Sequence, residues 1–274
     1  MKLFDLSGRI AVITGGAGFL GRQHAKALMS AGALPILVNP SNSQPQRAAL
    51  ELFEDMKSPC WGFEADITQE DQVERCLHWV HKNFGQCNIL INNAANNPAV
   101  KSDGEQTGRF DRLESFSLET WNADIAVGLT GAFLMSKHFG SSMASSQGGV
   151  IVNIASELAL IAPDQRLYRK DGLSEHEQPV KPVSYPTIKA GLIGLTRYLA
   201  TYWADKGVRV NALCPGGMEN GQPGEFKEKI GKLIPMGRMA RKDEYQGALL
   251  FLCSDASSYM TGATLSVDGG RTCW

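Results

Sequence analysis

Ile10-Ala11-Val12-Ile13-Thr14-Gly15-Gly16-Ala17-Gly18-Phe19-Leu20-Gly21 is a short apolar run that breaks into glycines and then opens onto a helical pattern. Glycines at such a turn allow positive φ and let the backbone approach a ligand closely. The amino end of the following helix offers N–H donors and a positive dipole, so the turn suits a pyrophosphate. A bare glycine motif says little, but strand, turn and helix in this order are the context that gives it meaning. Gly15, Gly18, Phe19, Leu20 and Gly21 are therefore candidate contacts for a dinucleotide.

Outward from this turn, β-branched runs alternate with longer helical patterns. Strands are predicted at Ile10–Thr14, Leu34–Asn39, Trp61–Ala65, Ile89–Ile91, Val150–Ile154, Val208–Leu213 and Thr264–Val267. Helices are predicted at Gln23–Ser30, Gln46–Met56, Gln69–Phe84, Leu118–Met143, Pro186–Asp205, Glu225–Leu233 and Glu244–Cys253. This alternation predicts an α/β fold, a doubly wound parallel sheet of the Rossmann kind, in a single domain over residues 1–274. Ligands of such sheets bind at the carboxyl ends of the strands, where the strand order reverses. Asn96–Leu113 and Pro163–Val183 are polar and long for connections in a compact domain, and loops of that length usually carry function.

A chain of 274 residues with 43% hydrophobic and 20% charged residues can bury a large core. Its net charge of -1 comes without a Lys/Arg block, which argues against nucleic acid as a partner. The amino terminus has Asp5 where a signal peptide would be apolar, and no run is long enough to span a membrane. The six cysteines are scattered without a CxxC pair, as suits reduced thiols. The reading is a cytoplasmic protein that does not enter a membrane. Cys76, His78 and His81 have metal-ligand chemistry, but they sit in a helical pattern without a further ligand nearby in sequence, so no metal site is expected.

The end of the second strand bears on the choice of cofactor. An acid there would bind ribose hydroxyls and an arginine a 2′-phosphate. This chain has Asn39-Pro40-Ser41-Asn42, with Arg47 the next basic residue. An amide satisfies a diol more readily than a doubly charged phosphate, so between NAD and NADP the sequence leans towards NAD.

Further pieces follow in order: Asp66-Ile67, Asn92-Asn93-Ala94-Ala95, Ser156, Tyr185-x-x-x-Lys189, Arg209-Val210-Asn211, Pro215-Gly216 and Val267-Asp268-Gly269-Gly270. With the glycine turn they make the chain resemble the short-chain dehydrogenases/reductases over nearly its whole length. The resemblance implies reversible interconversion of a carbonyl and a secondary alcohol with NAD or NADP. It implies Asp66 and Ile67 at the adenine, and Asn93 with Ala94 at the adenosine ribose. Pro215, Gly216 and Met218 would lie at the nicotinamide end, beside Tyr185 and Lys189. It also implies a homotetramer, and the terminal Trp274 would gain by burial in a partner.

The pair Tyr185 and Lys189 has a physical case of its own. Residues i and i+4 share a helix face. A phenol titrates near 10 in water, and nearby positive charge favours the phenolate. Tyr185 can then pass a proton to or from an alcohol oxygen, and Ser156 can hold that oxygen with a hydrogen bond.

The chain departs from the resemblance in three places. The glycine spacing is TGxxGxxG-like, as in the larger, extended branch, with Phe19 at the middle glycine position. That hints at a nucleotide-sugar epimerase or dehydratase, although the length provides no large second domain. Val127-Gly128-Leu129 stands where relatives read Val-Asn-Leu, and the missing amide raises a cofactor-binding protein of little catalysis as a further alternative. Finally, Pro163–Val183 widens the gap between Ser156 and Tyr185 and reads as an insertion at the substrate cleft. Its Arg166, Tyr168, Arg169, Lys170 and Lys181 could bind an anionic or sugar-like small molecule, while Asp164, Asp171, Glu175 and Glu177 balance those charges and leave a solvated loop as the alternative. The insertion, with the Leu195–Lys206 stretch, resembles a subgroup of surface-glycan and nonulosonate pathways.

Overall fold

The computed structural model describes residues 2–96 and 111–274. Its strands are β1 (Ile10–Thr14), β2 (Leu34–Asn39), β3 (Trp61–Glu64), β4 (Ile89–Asn92), β5 (Gly149–Ile154), β6 (Val208–Pro215) and β7 (Thr264–Val267). They form one sheet in the order β3-β2-β1-β4-β5-β6-β7, with each pairing parallel. This is the doubly wound fold that the alternation predicts.

The composition of β1 explains its place at the centre. All five residues are buried, as required of a strand with helices on both faces. Successive side chains point to opposite faces. Val12 packs with Ile36, Leu90, Met135 and Phe139, whereas Ile13 packs with Leu28, Leu37, Leu249 and Leu252. The helices α1 (Phe19–Ser30) and α2 (Pro45–Met56) cover the Ile13 face. The Val12 face is covered by α3 (Glu70–Phe84) and by α4, a long helix over residues 118–144. Two more helices, α5 (Ser184–Tyr202) and α6 (Gly224–Gly231), flank the carboxyl ends of the later strands, and α7 (Gln246–Cys253) packs beside α1. The strand order reverses at β1, which lies between β2 and β4, so the crevice above β1 and β4 is the natural ligand site.

Some boundaries differ from the sequence reading. Helix α1 starts at Phe19 rather than Gln23, because Gly18 already accepts the Arg22 N–H at 3.0 Å. Phe19 and Leu20 therefore stand in its first turn. Helix α5 starts at Ser184, so Tyr185 belongs to the first turn instead of preceding it. Helix α4 contains two π turns, Ala126–Thr130 and Ser136–Gly140, which sequence periodicity does not show. The predicted polar connection Asn96–Leu113 lies, for residues 97–110, outside the described residues. No helix among the described residues is long and apolar enough to cross a membrane.

Candidate active site

The glycine turn has the shape that its residues promise. Gly15 has φ +63°, a conformation strained for any other side chain, and a Cβ there would press on Ala94 Cα at 3.0 Å. Gly21 has no room for a Cβ against the Gly15 carbonyl. The turn is braced from two sides. Asn39 Oδ1 accepts the Ala17 N–H at 2.8 Å, and Asn93 Nδ2 donates to the Thr14 carbonyl at 2.9 Å. Gly18 caps α1 without a side-chain bond, so the first-turn N–H groups are left for an anion.

From this turn a cleft of about 540 Å³ runs along the carboxyl ends of the strands to Tyr185. It is lined by Gly15, Gly18, Phe19, Leu20, Gly21, Asn39, Asn93 and Ala94 at one end, and by Ser156, Tyr185, Lys189, Pro215, Gly216 and Met218 towards the other. Asp66 and Ile67 are not among the lining residues. Ile67 is buried in the core against Gly131, and Asp66 Oδ1 accepts from the Thr68 N–H at 2.9 Å and its hydroxyl at 2.8 Å. A glycine cradle, an uncapped helix end and an elongated cleft together fit a dinucleotide.

Ser156 follows β5 and is buried, its Oγ accepting the Leu158 N–H at 3.1 Å. Tyr185 is half-buried in the first turn of α5, where the neighbouring Ser184 hydroxyl donates to Asp124 Oδ2 at 2.5 Å and pins the helix start. Burial pushes the Tyr185 phenol up to about 12; the hydrogen bond from Ser156 works against this and the Glu157 carboxylate adds to it. Lys189 is buried one turn on, with its Nζ 5.6 Å from the Tyr185 ring centroid and donating to the Ile154 carbonyl at 2.6 Å. Burial lowers the Lys189 ammonium to about 8. The expected lowering of the phenol rests on Lys189 together with the positive charge of an oxidised nicotinamide, and burial works against it.

The segment 163–183 is a folded wall of the cleft. Gln178 is buried and ties it together, its Nε2 donating to the carbonyls of Lys170 (3.0 Å) and Leu173 (2.9 Å). Of the five residues expected to meet substrate, Tyr168 and Lys181 line the cleft. Arg166 pairs with Asp164 at 2.6 Å, Arg169 pairs with Glu175, and Lys170 is exposed. The Tyr168 ring packs at a tilt against Phe226 of α6, with 5.8 Å between centroids, and Leu167 packs with Ile230, Ile234 and Met239.

Sequence reasoning missed Glu157, which is buried beside Ser156, lines the cleft and pairs with the buried Arg271 at 3.4 Å. Desolvation raises its carboxyl to about 7, with Arg271 opposing and Asp268 adding to the rise. The signal was available: an acid inside the apolar stretch Ile154-Ala155-Ser156-Glu157-Leu158 requires a buried partner. Of the cysteine and histidines weighed as ligands, Cys76 is buried in the core, and His81 meets the Ser142 hydroxyl at 3.1 Å.

Gly128 has a steric reason. A Cβ there would lie 2.7 Å from Ile188 Cγ2, so the isoleucine next to Lys189 fills the space that an asparagine would need. Gly128→Asn is expected to lower the unfolding free energy by about 1–3 kcal/mol through overpacking. Adding Ile188→Ala should recover part of it. Denaturant unfolding measures both, and an unchanged midpoint for the single variant would contradict the steric account.

Comparison with known proteins agrees with this geometry. Residues 9–167 match the family described as short chain dehydrogenase, and residues 173–272 the one described as Enoyl-(Acyl carrier protein) reductase. The chain is 32% identical over 274 residues to the D-threitol dehydrogenase of Mycolicibacterium smegmatis, covering 98% of this chain and 95% of that protein. It is 29% identical over 276 residues to the NAD-dependent glycerol dehydrogenase of Listeria innocua, covering 99% and 96%. In structure it is similar to a gluconate 5-dehydrogenase from Burkholderia cenocepacia in complex with NADP and tartrate. That match has a TM-score of 0.84 and 28% identity, and covers 100% of this chain and 98% of the other. With fold, cleft and matches agreeing from the glycine turn to the last strand, the chain belongs to the short-chain dehydrogenase/reductase family.

Proposed function

We propose that the protein oxidises a secondary alcohol of a polyol or sugar-derived substrate and reduces the matching carbonyl in reverse. The observation that carries this reading is that Ser156, Tyr185 and Lys189 meet in the same cleft as the glycine turn. When bound there, a nicotinamide accepts or gives the hydride. Ser156 holds the reacting oxygen, Tyr185 takes its proton during oxidation or returns it during reduction, and Lys189 supplies positive charge beneath the phenol. The names of the threitol, glycerol and gluconate dehydrogenases favour a hydroxyl-rich substrate. They lend nothing to the narrower glycan and nonulosonate subgroup.

NAD is the proposed cofactor. Arg22 and Arg47, the arginines nearest in sequence to the end of β2, are both held by Glu51, at 2.7 and 3.1 Å. A 2′-phosphate would have to draw one of them away. A screen of alditols and aldonates with both cofactors is expected to give at least about tenfold higher kcat/KM with NAD, and Glu51→Ala should move the ratio towards NADP. A tenfold advantage for NADP in the native protein would overturn this choice. Although the glycerol dehydrogenase is named NAD-dependent, the gluconate dehydrogenase was crystallised with NADP, so the ratio is the decisive quantity.

A homo-oligomer, a tetramer by the family resemblance, completes the proposal. Phe133 on α4 is exposed, as are Tyr198 and Tyr202 on α5, whose rings stack at 5.6 Å. Trp274 is exposed as well, with its Nε1 donating to the Leu233 carbonyl at 3.2 Å. Large apolar rings left in water favour association. Sedimentation should show an assembly at micromolar concentration, and a monomer throughout would remove the claim.

A further inference from the structure

Lys181 lies outside the Tyr185-x-x-x-Lys189 pair, yet its Nζ stands 4.0 Å from the centre of the Tyr185 ring, nearer than that of Lys189 at 5.6 Å. The lysine is not a loose surface side chain. It is buried in the cleft wall, and its backbone is clamped by one side chain: Gln165 Oε1 accepts the Lys181 N–H at 2.8 Å while Gln165 Nε2 donates to the Lys181 carbonyl at 3.4 Å. Three residues later the chain enters α5 at Ser184, so the segment 163–183 delivers Lys181 and Tyr185 as neighbours.

We propose that Lys181 is a positioning residue of Tyr185, a second cation that steadies the ring and favours the phenolate. The inference rests on the reading of Tyr185 as the proton carrier. An ammonium on the face of a ring is attracted by the ring's quadrupole, and more strongly by the full negative charge of a phenolate. Lys189 spends one donor on the Ile154 carbonyl. A lysine has three donors and a compact charge, so Lys181 can act on the phenol whatever else its ammonium holds. The contact works in both directions: as the phenol loses its proton, the ammonium is held more firmly.

The charged and titratable groups facing this pair are distributed unevenly. Burial lowers the Lys181 ammonium to about 7, and the charge of Lys189, from α5, adds to this. Glu157, after β5, disfavours the phenolate, but it is tied to Arg271. Tyr168 of the same segment lines the cleft, and Cys214 of β6 faces Lys189. Asp124 of α4 is occupied by the hydroxyl of Ser184. Among the described residues, Lys181 is the cation whose contact is with the ring itself at the shortest distance.

The test reads Tyr185 directly. Tyrosinate absorbance is followed against pH in the protein with saturating NAD, and the Tyr185→Phe trace is subtracted to isolate one phenol. Lys181→Met is expected to move the Tyr185 midpoint upward by about one pH unit or more, in the range that removal of a close opposite charge produces. Lys181→Arg should restore much of the shift. The sign follows from the charge: without the cation, the phenol keeps its proton to higher pH. Alcohol oxidation would then lose rate near neutral pH and regain it in more alkaline solution. An unchanged midpoint in a folded Lys181→Met protein would overturn the proposal, and a pure rise in KM at an unchanged midpoint would make Lys181 a substrate contact instead. The spectroscopic midpoint does not depend on turnover. If no polyol is oxidised but the midpoint moves, the proposed function fails and the pairing stands.

Discussion

Tyr185→Phe is expected to abolish alcohol oxidation and carbonyl reduction while leaving cofactor affinity within about twofold. General acid–base groups contribute roughly 10²–10⁴ in rate, and Tyr185 is the phenol hydrogen-bonded to Ser156. The ring survives the substitution, so α5 keeps its first turn and Ser184 keeps its bond to Asp124. The dinucleotide cradle stands at the other end of the cleft, on Gly15, Gly21 and Asn39, and loses nothing. Single-turnover kinetics and fluorescence titration of NADH separate the two effects. Retention of more than a few per cent of the native rate would show that another group carries the proton.

The second large effect is expected from the segment 163–183. Shortening it to join Ile161 more directly to Val183 removes Tyr168 and Lys181 from the cleft wall and unpins α6, where Tyr168 packs against Phe226. We expect kcat/KM for substrate to fall by at least about a hundredfold, as two or three contacts at roughly tenfold each would give. Affinity for the dinucleotide should change little, because its turn is built from β1, α1 and β2. The Leu167 contact with Ile230, Ile234 and Met239 is lost as well, so the melting temperature of the shortened protein must be measured alongside. Tyr168→Ala, which removes one ring only, gives a milder version of the same test. Unchanged kcat/KM in a folded shortened protein would mean that the segment serves folding or assembly.

The parts legible in the sequence are those governed by short-range patterning. β1 reads as a strand because Ile10–Thr14 is apolar on both faces, and it is buried on both. The glycine turn and Tyr185-Pro186-Thr187-Ile188-Lys189 each lie within one turn of helix or loop, so spacing alone places their side chains. What remained hidden depends on contacts between distant residues. Ile67 follows a strand, where a ligand contact is expected, and its side chain is buried against Gly131 on α4. Gly128 reads as a missing amide until Ile188 is seen to occupy its place. Glu157 and Arg271 are over a hundred positions apart and meet because β5 and β7 run parallel in one sheet, so that the segments after them lie at the same end of it. Charge composition alone did not say which basic residues of the insertion face inward. Local acids hold Arg166 and Arg169, and the Gln165 clamp turns Lys181 towards Tyr185.

The most direct test of the central claim is the stoichiometry of the reaction with an alditol that the protein accepts. Ketose formed and NADH or NADPH formed are measured in the same sample, with the alditol deuterated at the reacting carbon. The account predicts one reduced nicotinamide, carrying one deuterium, for each ketose, in the native protein and not in Tyr185→Phe. An epimerised or dehydrated product with no net cofactor reduction, or cofactor bound with no product at all, would contradict it.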